Sequence, residues 1–327
     1  MFAVGAGAPD PRAFFWLCGV VSSYWGCPRA YRMTSRAIAR PGPECRRVAP
    51  GFAVAAALAA LSLAGCASLG NPPAADNDEL LYAPAQSNVT SLSEVIEKHP
   101  DDPQAYNMRG SVYGEAGRDD QALADFDHAI SLDPNYAQAY ANRGLIYRKT
   151  NKLDLALADY DKALSIDQSY AAAYLGRGMV YSAQGRSDLA LADFNKAIAL
   201  KPDNAEAYYS RGLLYQSQRQ HQFAIDDFST ALGLTTQKTD VFVARALSYL
   251  AIGDAKSAAS DLDAAVQAQP QNIKAWASRG LAYERLGERE RAAGSYAKAL
   301  NINDKYQPAI AGFARVGGRA GQSYQTF

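Results

Sequence analysis

The chain has 327 residues, of which 48% are hydrophobic, with 33 basic and 33 acidic side chains. Balanced charge gives no general electrostatic drive toward nucleic acid or anionic lipid, and so excludes partners recognised chiefly through a basic surface. All four cysteines (Cys18, Cys27, Cys45 and Cys66) lie in the N-terminal segment, which excludes cysteine-based metal sites and disulfides from the rest of the chain.

Residues 1–65 read as a leader. The stretch 1–32 carries Trp16 and Trp25 without a usable period, so Met33 is expected to be the true start and 1–32 to be untranslated. A precursor mass beginning at Met1 would contradict that. Arg46 and Arg47 precede an apolar run over 52–64, short for a bilayer span and suited to a signal-peptide core. The run ends in Leu63-Ala64-Gly65-Cys66, which resembles a bacterial lipobox. That resemblance implies cleavage before Cys66, a diacylglycerol thioether on its sulfur and acylation of its new amino group. Several acyl chains on one residue make a stable anchor where one chain is marginal. Ala67 follows in place of the Asp that retains enterobacterial lipoproteins in the inner membrane, so the analogy favours the outer membrane, facing the periplasm. The competing readings are an ordinary secretory signal with a chance cysteine, or a short membrane helix. Residues 66–87 are rich in Asn, Pro, Ala, Asp and Gln, and predict a disordered tether.

Beyond the tether, Val89, Leu92, Val95 and Ile96 place one helix over 88–98. An arginine followed by a tiny residue then recurs every 34 residues: Arg109, Arg143, Arg177, Arg211, Arg245 and Arg279 precede Gly110, Gly144, Gly178, Gly212, Ala246 and Gly280. An aromatic residue stands three positions before each arginine, at Tyr106, Tyr140, Tyr174, Tyr208, Phe242 and Trp276. Within 137–170 the apolar positions predict one helix over 137–150 and a second over 153–166. These features resemble the tetratricopeptide repeat over 103–306, with full repeats at 103–136, 137–170, 171–204, 205–238, 239–272 and 273–306. The resemblance implies an all-α fold, a right-handed α-solenoid of about six helix-turn-helix units filling 88–316. The helix at 88–98 then serves as a half-repeat N-cap, Pro308 begins a C-terminal capping helix, and 317–327 is a flexible tail.

Glycine inside a helix costs about 1 kcal/mol relative to alanine, so Gly144 needs close approach of the second helix, with Ala156 as its small partner. The turns carry Gly117, Asn151, Gly185, Gly253 and Gly287, but Arg219 in the fourth unit. With 232–240 following directly, and Ala246 and Leu262 replacing Gly and an aromatic, a bend or weaker junction is expected there.

Sixteen residues after each of the first five arginines sits an acid: Asp125, Asp159, Asp193, Asp227 and Asp261, with Ser295 in the sixth unit. Partly buried charges occur in pairs, so an ion-pair ladder explains the arginine row better than a ligand site. Two registers fit: each acid meets the arginine of its own repeat, or that of the next. Ser295 favours the second, because the next arginine position is Phe313 and needs no partner.

The resemblance places the first helix of each pair on the concave face. One inward row is Ser111, Leu145, Met179, Leu213, Leu247 and Leu281; the other runs Asn107, Ala141, Leu175, Tyr209, Val243 and Ala277. Glu115, Arg148, Lys149, Gln216, Glu284 and Arg285 flank the apolar stripe. Such a surface suits an amphipathic helix or an extended peptide, and burial of the leucines between neighbouring helices is the alternative. The carboxylate clamp of chaperone-binding repeats is not matched, since Ala141 and Leu175 stand where its polar neighbours would be.

His99, His128 and His221 fall at unrelated positions, and no glycine-rich phosphate loop exists. No metal site, triad or cofactor site can be assembled from them, and the expectation is a binding protein with neither metal nor cofactor. Among repeat lipoproteins the arrangement is similar to the NlpI type, which implies an adaptor for envelope hydrolases or proteases. An assembly or pilotin subunit of an outer-membrane complex, and a self-associating structural protein, are the alternatives.

Overall fold

Each 34-residue unit sets a small residue on its first helix against a ring on its second. A Cβ added at Gly110, Gly178 or Gly212 would lie 2.8, 2.8 and 2.7 Å from the rings of Phe126, Phe194 and Phe228. Carbon atoms prefer about 3.5–4.0 Å, so only glycine lets these helices close to their observed spacing. The fifth unit reaches the same density by another route: Ala246 carries the methyl group and Leu262 replaces the ring, and both are fully buried. Alanines fill the rest of the contact, with Ala122, Ala156, Ala190, Ala224, Ala258 and Ala292 all at 0% exposure.

In the computed structural model, which describes residues 77–236, 239–319 and 324, with side chains from Asn88 onward, these contacts join fourteen helices. They are α1 (Asn77–Lys98), α2 (Pro103–Glu115), α3 (Asp119–Leu132), α4 (Ala137–Lys149), α5 (Leu153–Ile166), α6 (Ala171–Ala183) and α7 (Ser187–Leu200). There follow α8 (Ala205–Ser217), α9 (His221–Leu234), α10 (Thr239–Ala251), α11 (Ala255–Ala268), α12 (Ile273–Arg285), α13 (Arg289–Ile302) and α14 (Gln307–Arg315). The pairs from α2–α3 to α12–α13 are the six repeats, and the all-α solenoid expected from the period is what forms.

Local chemistry sets the boundaries. The carboxylate of Asp102 accepts the N–H of Gln104 at 2.9 Å, and Pro103 opens α2, where a missing N–H is harmless. The side-chain carbonyl of Asn204 accepts the N–H groups of Glu206 and Ala207, and Asn272 caps α12 through Ala275 N–H. Every turn within a repeat passes through the left-handed region, by glycine in four repeats and by Asn151 (φ 59°) and Arg219 (φ 60°) in the other two. Arg219 therefore adopts the glycine conformation instead of changing the turn.

Neighbouring repeats share cores. Tyr160 and Leu164 of α5 pack with Ala173 and Val180 of α6, and Phe228 and Leu232 of α9 with Val241 and Ala244 of α10. The irregular junction thus keeps an apolar seam on one side, while a concavity of about 720 Å³ opens on the other between α8 and α10. At the C-terminal end, α14 covers the last repeat with Ala309 and Phe313, and the Tyr324 ring meets Phe313 edge-on at 5.6 Å.

One boundary differs from expectation. The helix predicted from residue 88 begins at Asn77, so 77–87 is helical where composition predicts a tether. Pro84 lacks an N–H to donate and marks a break in the pattern, yet α1 runs through it. Among the described residues no helix is long and apolar enough to cross a membrane. Cys66, the leader and the beginning of the expected tether lie outside the described residues.

Candidate functional site: the inner groove

The first helices line a run of connected concavities. The first, about 540 Å³, lies between α2 and α4. Leu145 and Arg148 also border the next, which ends at Met179 and Glu206; these two in turn border a third that reaches Tyr209 and Leu213.

The two predicted rows separate. Leu145 is 45% and Leu213 38% exposed, with Met179, Leu247 and Leu281 half-buried beside them. In the second row Tyr209 is half-buried and lines the groove, whereas Leu175 and Val243 are only 6% and 4% exposed. Leu175 and Val243 are therefore largely enclosed: they pack into the cores of α6–α8 and of α10–α12, with Leu175 showing only an edge to the concavity between Leu145 and Met179. The usable stripe is narrower than the sequence suggests.

The flanking polar groups are mostly occupied in joining repeats. Lys149 Nζ donates to Asp119 at 2.8 Å, and Gln216 Nε2 to the Ala244 carbonyl and to Ser248 Oγ, each at 2.8 Å. Arg285 donates to the Leu250 carbonyl, and Glu284 accepts two bonds from Arg315. Arg148 differs, because its Nε is buried without a hydrogen-bond partner among the described residues. Its guanidinium lies beside the Tyr160 hydroxyl, whose pKa burial pushes up to about 12. Tyr160 is thus a proton donor at any physiological pH. Its ring end is admitted by Gly176, where a Cβ would lie 2.4 Å from Cζ. Sequence reading missed Tyr160 and Glu206 as groove residues; the signal was Tyr160 where the first, third and fourth repeats have Phe, with Gly176 opposite.

The arginine row is structural, and its register is the one not expected. Asp125 accepts from Arg109 Nε and Nη2 at 2.8 and 2.7 Å, within one repeat, and not from Arg143. Arg143–Asp159, Arg177–Asp193, Arg211–Asp227 and Arg245–Asp261 repeat this two-pronged geometry. The reason is that each acid lies next to the side chain that packs on the small residue beside the arginine, a ring on glycine in four repeats and Leu262 on Ala246 in the fifth, so one helix contact fixes both. Nη1 then reaches the preceding repeat two residues further along, at Asp127, Asp161, Asn195 or Ser229. Arg279, facing Ser295, turns instead to Asp263 of the preceding repeat at 2.5 Å. Tyr140 and Tyr147 flank the Arg143 guanidinium at 5.5 and 5.9 Å, in cation–π range. Hydrogen bonds to Asp159 raise the Arg143 pKa above its ordinary value against the opposing effect of burial.

Among the described residues no three metal-ligating side chains converge. Comparison with known proteins agrees with the geometry. A TPR repeat model matches residues 110–150, 144–185 and 178–218, and a tetratricopeptide repeat model matches 243–308; neither describes a catalytic family. No curated protein matches. Among solved structures, the Cut9–Hcn1 complex of the APC/C aligns over 71% of this chain with TM-score 0.63 at 17% identity. This chain spans 46% of that protein's length. PilF of Pseudomonas aeruginosa aligns over 65% of this chain and 97% of its own, with TM-score 0.60 and 21% identity. YrrB, a TPR protein with an unusual peptide-binding site, aligns over 57% of this chain and 96% of its own, with TM-score 0.50 and 28% identity.

Proposed function

We propose, from the premise that this chain belongs to the tetratricopeptide repeat family, that its inner groove holds a segment of a partner protein and that it acts as a non-catalytic scaffold. The observation that carries this is the exposed pair Leu145 and Leu213, joined through Met179 along one continuous groove where the rim residues Lys149, Gln216, Glu284 and Arg285 are engaged in bonds to neighbouring helices. Apolar surface left open in a row, with closed hydrogen bonding around it, is the composition of a peptide-docking groove. The likeness to YrrB supports a peptide as occupant.

The scaffold is anchored by lipid on Cys66 to the outer membrane and faces the periplasm, where it serves as an adaptor for envelope hydrolases or proteases. The lipobox-like Leu63-Ala64-Gly65-Cys66 supports the anchor. Incorporation of an alkyne-tagged fatty acid that survives Cys66→Ala would reject it. The scaffold reading is tested by affinity purification from envelopes. Proteins that copurify with the wild type should be lost with Leu213→Asp and retained with Leu189→Asp, a change on an exposed leucine of α7. Retention in both refutes the groove. A soluble hydrolase or protease among the proteins lost supports the adaptor role, whereas integral barrels would replace it with an assembly role.

A further inference from the structure

Arg148 breaks the rule that the rim of this groove satisfies itself. A buried guanidinium nitrogen without an acceptor is uncommon in a folded protein, because desolvation is not offset. We propose that Arg148 and the Tyr160 hydroxyl form a carboxylate receptor, and that the partner segment in the groove places an Asp or Glu side chain there between apolar side chains. This rests on the groove reading above and specifies its ligand.

The molecule contains the completed form of the same arrangement. Four repeats further on, Glu284 and Tyr296 occupy the positions of Arg148 and Tyr160, and Gly312 that of Gly176. There the Tyr296 hydroxyl donates to Glu284 Oε2 at 2.7 Å, and Arg315 of α14 closes the site with bonds of 2.7 and 2.9 Å to the same carboxylate. A Cβ at Gly312 would lie 2.2 Å from Tyr296 Cζ, so this hydroxyl too passes over a glycine. At the first site the rim charge is reversed, and the position of Arg315 is taken by Met179, which cannot supply a counter-charge. The complementary group is therefore an anion, and Glu206, which borders the same concavity, does not reach Arg148 Nε. One guanidinium edge and one hydroxyl match the two oxygens of a carboxylate.

The surroundings fix where that carboxylate comes from. The concavity continues past Arg148 in both directions, toward Ser111 on one side and Leu213 on the other, so a chain can run through it without ending there. The acid is accordingly a side chain. Leu145 and Met179, which border the same space, take apolar neighbours. Glu206 also borders it and raises the Tyr160 pKa through its charge, so it repels a second acid and makes the α8 side fit a neutral or basic residue.

The test selects twelve-residue peptides from a random displayed library on the full-length protein. Enriched sequences are synthesised with amidated C-termini and titrated by fluorescence anisotropy. Asp or Glu flanked by apolar residues is the expected enrichment. Neutralising that acid in the peptide should weaken binding about tenfold, as should Arg148→Gln, with no further loss when the two are combined. The peptide change needs no altered protein, so it stands even if Arg148→Gln perturbs folding. Binding abolished by Leu213→Asp but indifferent to Arg148→Gln and to the peptide acid overturns the receptor and leaves the groove. Peptides indifferent to Leu213→Asp overturn both, and binding only with a free C-terminus overturns the side-chain source.

Discussion

At the scale of residues, the unit of this protein is a matched pair: glycine with a ring, or alanine with leucine. Gly212→Ala alone places a methyl group 2.7 Å from Phe228 and should lower stability by about 1–3 kcal/mol, despite a helix-propensity gain of about 1 kcal/mol. Gly212→Ala with Phe228→Leu recreates the pair Ala246–Leu262. In urea unfolding the double variant should be more stable than the sum of the two single losses by at least about 1 kcal/mol. Additive losses would show that the fifth repeat packs as it does for some other reason. The close approach at the glycine was legible in the sequence but its partner was not: Ala156 was expected against Gly144, whereas the nearest neighbour is the ring sixteen residues on, Tyr160, at 3.2 Å from an added Cβ. That Tyr160 reaches the groove was harder to read, since it depends on Gly176 in the next repeat.

At the scale of elements, the ladder ties the two helices of a repeat with two bonds and neighbouring repeats with one. Removing either member of Arg211–Asp227 should cost about 2–3 kcal/mol, below the full penalty for a buried pair because the Arg211 side chain keeps 19% of its exposure. In a cycle of Arg211→Leu and Asp227→Asn the losses should couple strongly. Arg211→Leu with Asp193→Asn should be additive within about 0.5 kcal/mol, since Asp193 bonds Arg177 instead. Coupling in the second cycle and none in the first would restore the between-repeat register. Sequence could not decide that register, because both pairings recur with the same 34-residue period and their chain separations differ by only two residues; Ser295 pointed the wrong way, since it marks where Arg279 turns back to Asp263.

At the scale of the whole array, the 34-residue period carried the family resemblance, and the resemblance implied the solenoid and the face that its first helices line, while the usable surface depended on how far adjacent helices close over their own side chains. Leu175 and Val243 are largely enclosed, and Leu145, Met179 and Leu213 remain. Repeat architectures keep their folding contacts between nearest neighbours and leave this inner surface free to vary with the partner. In the proposed scaffold, residues such as Arg148 that do not close a repeat-to-repeat bond would set the specificity. If partners enter this groove, photo-crosslinking in intact cells with the probe at Leu213 in one strain and at Leu189 in another should yield a discrete crosslinked protein from Leu213 and none from Leu189; capture from Leu189 alone would place the partner on the outer helices instead.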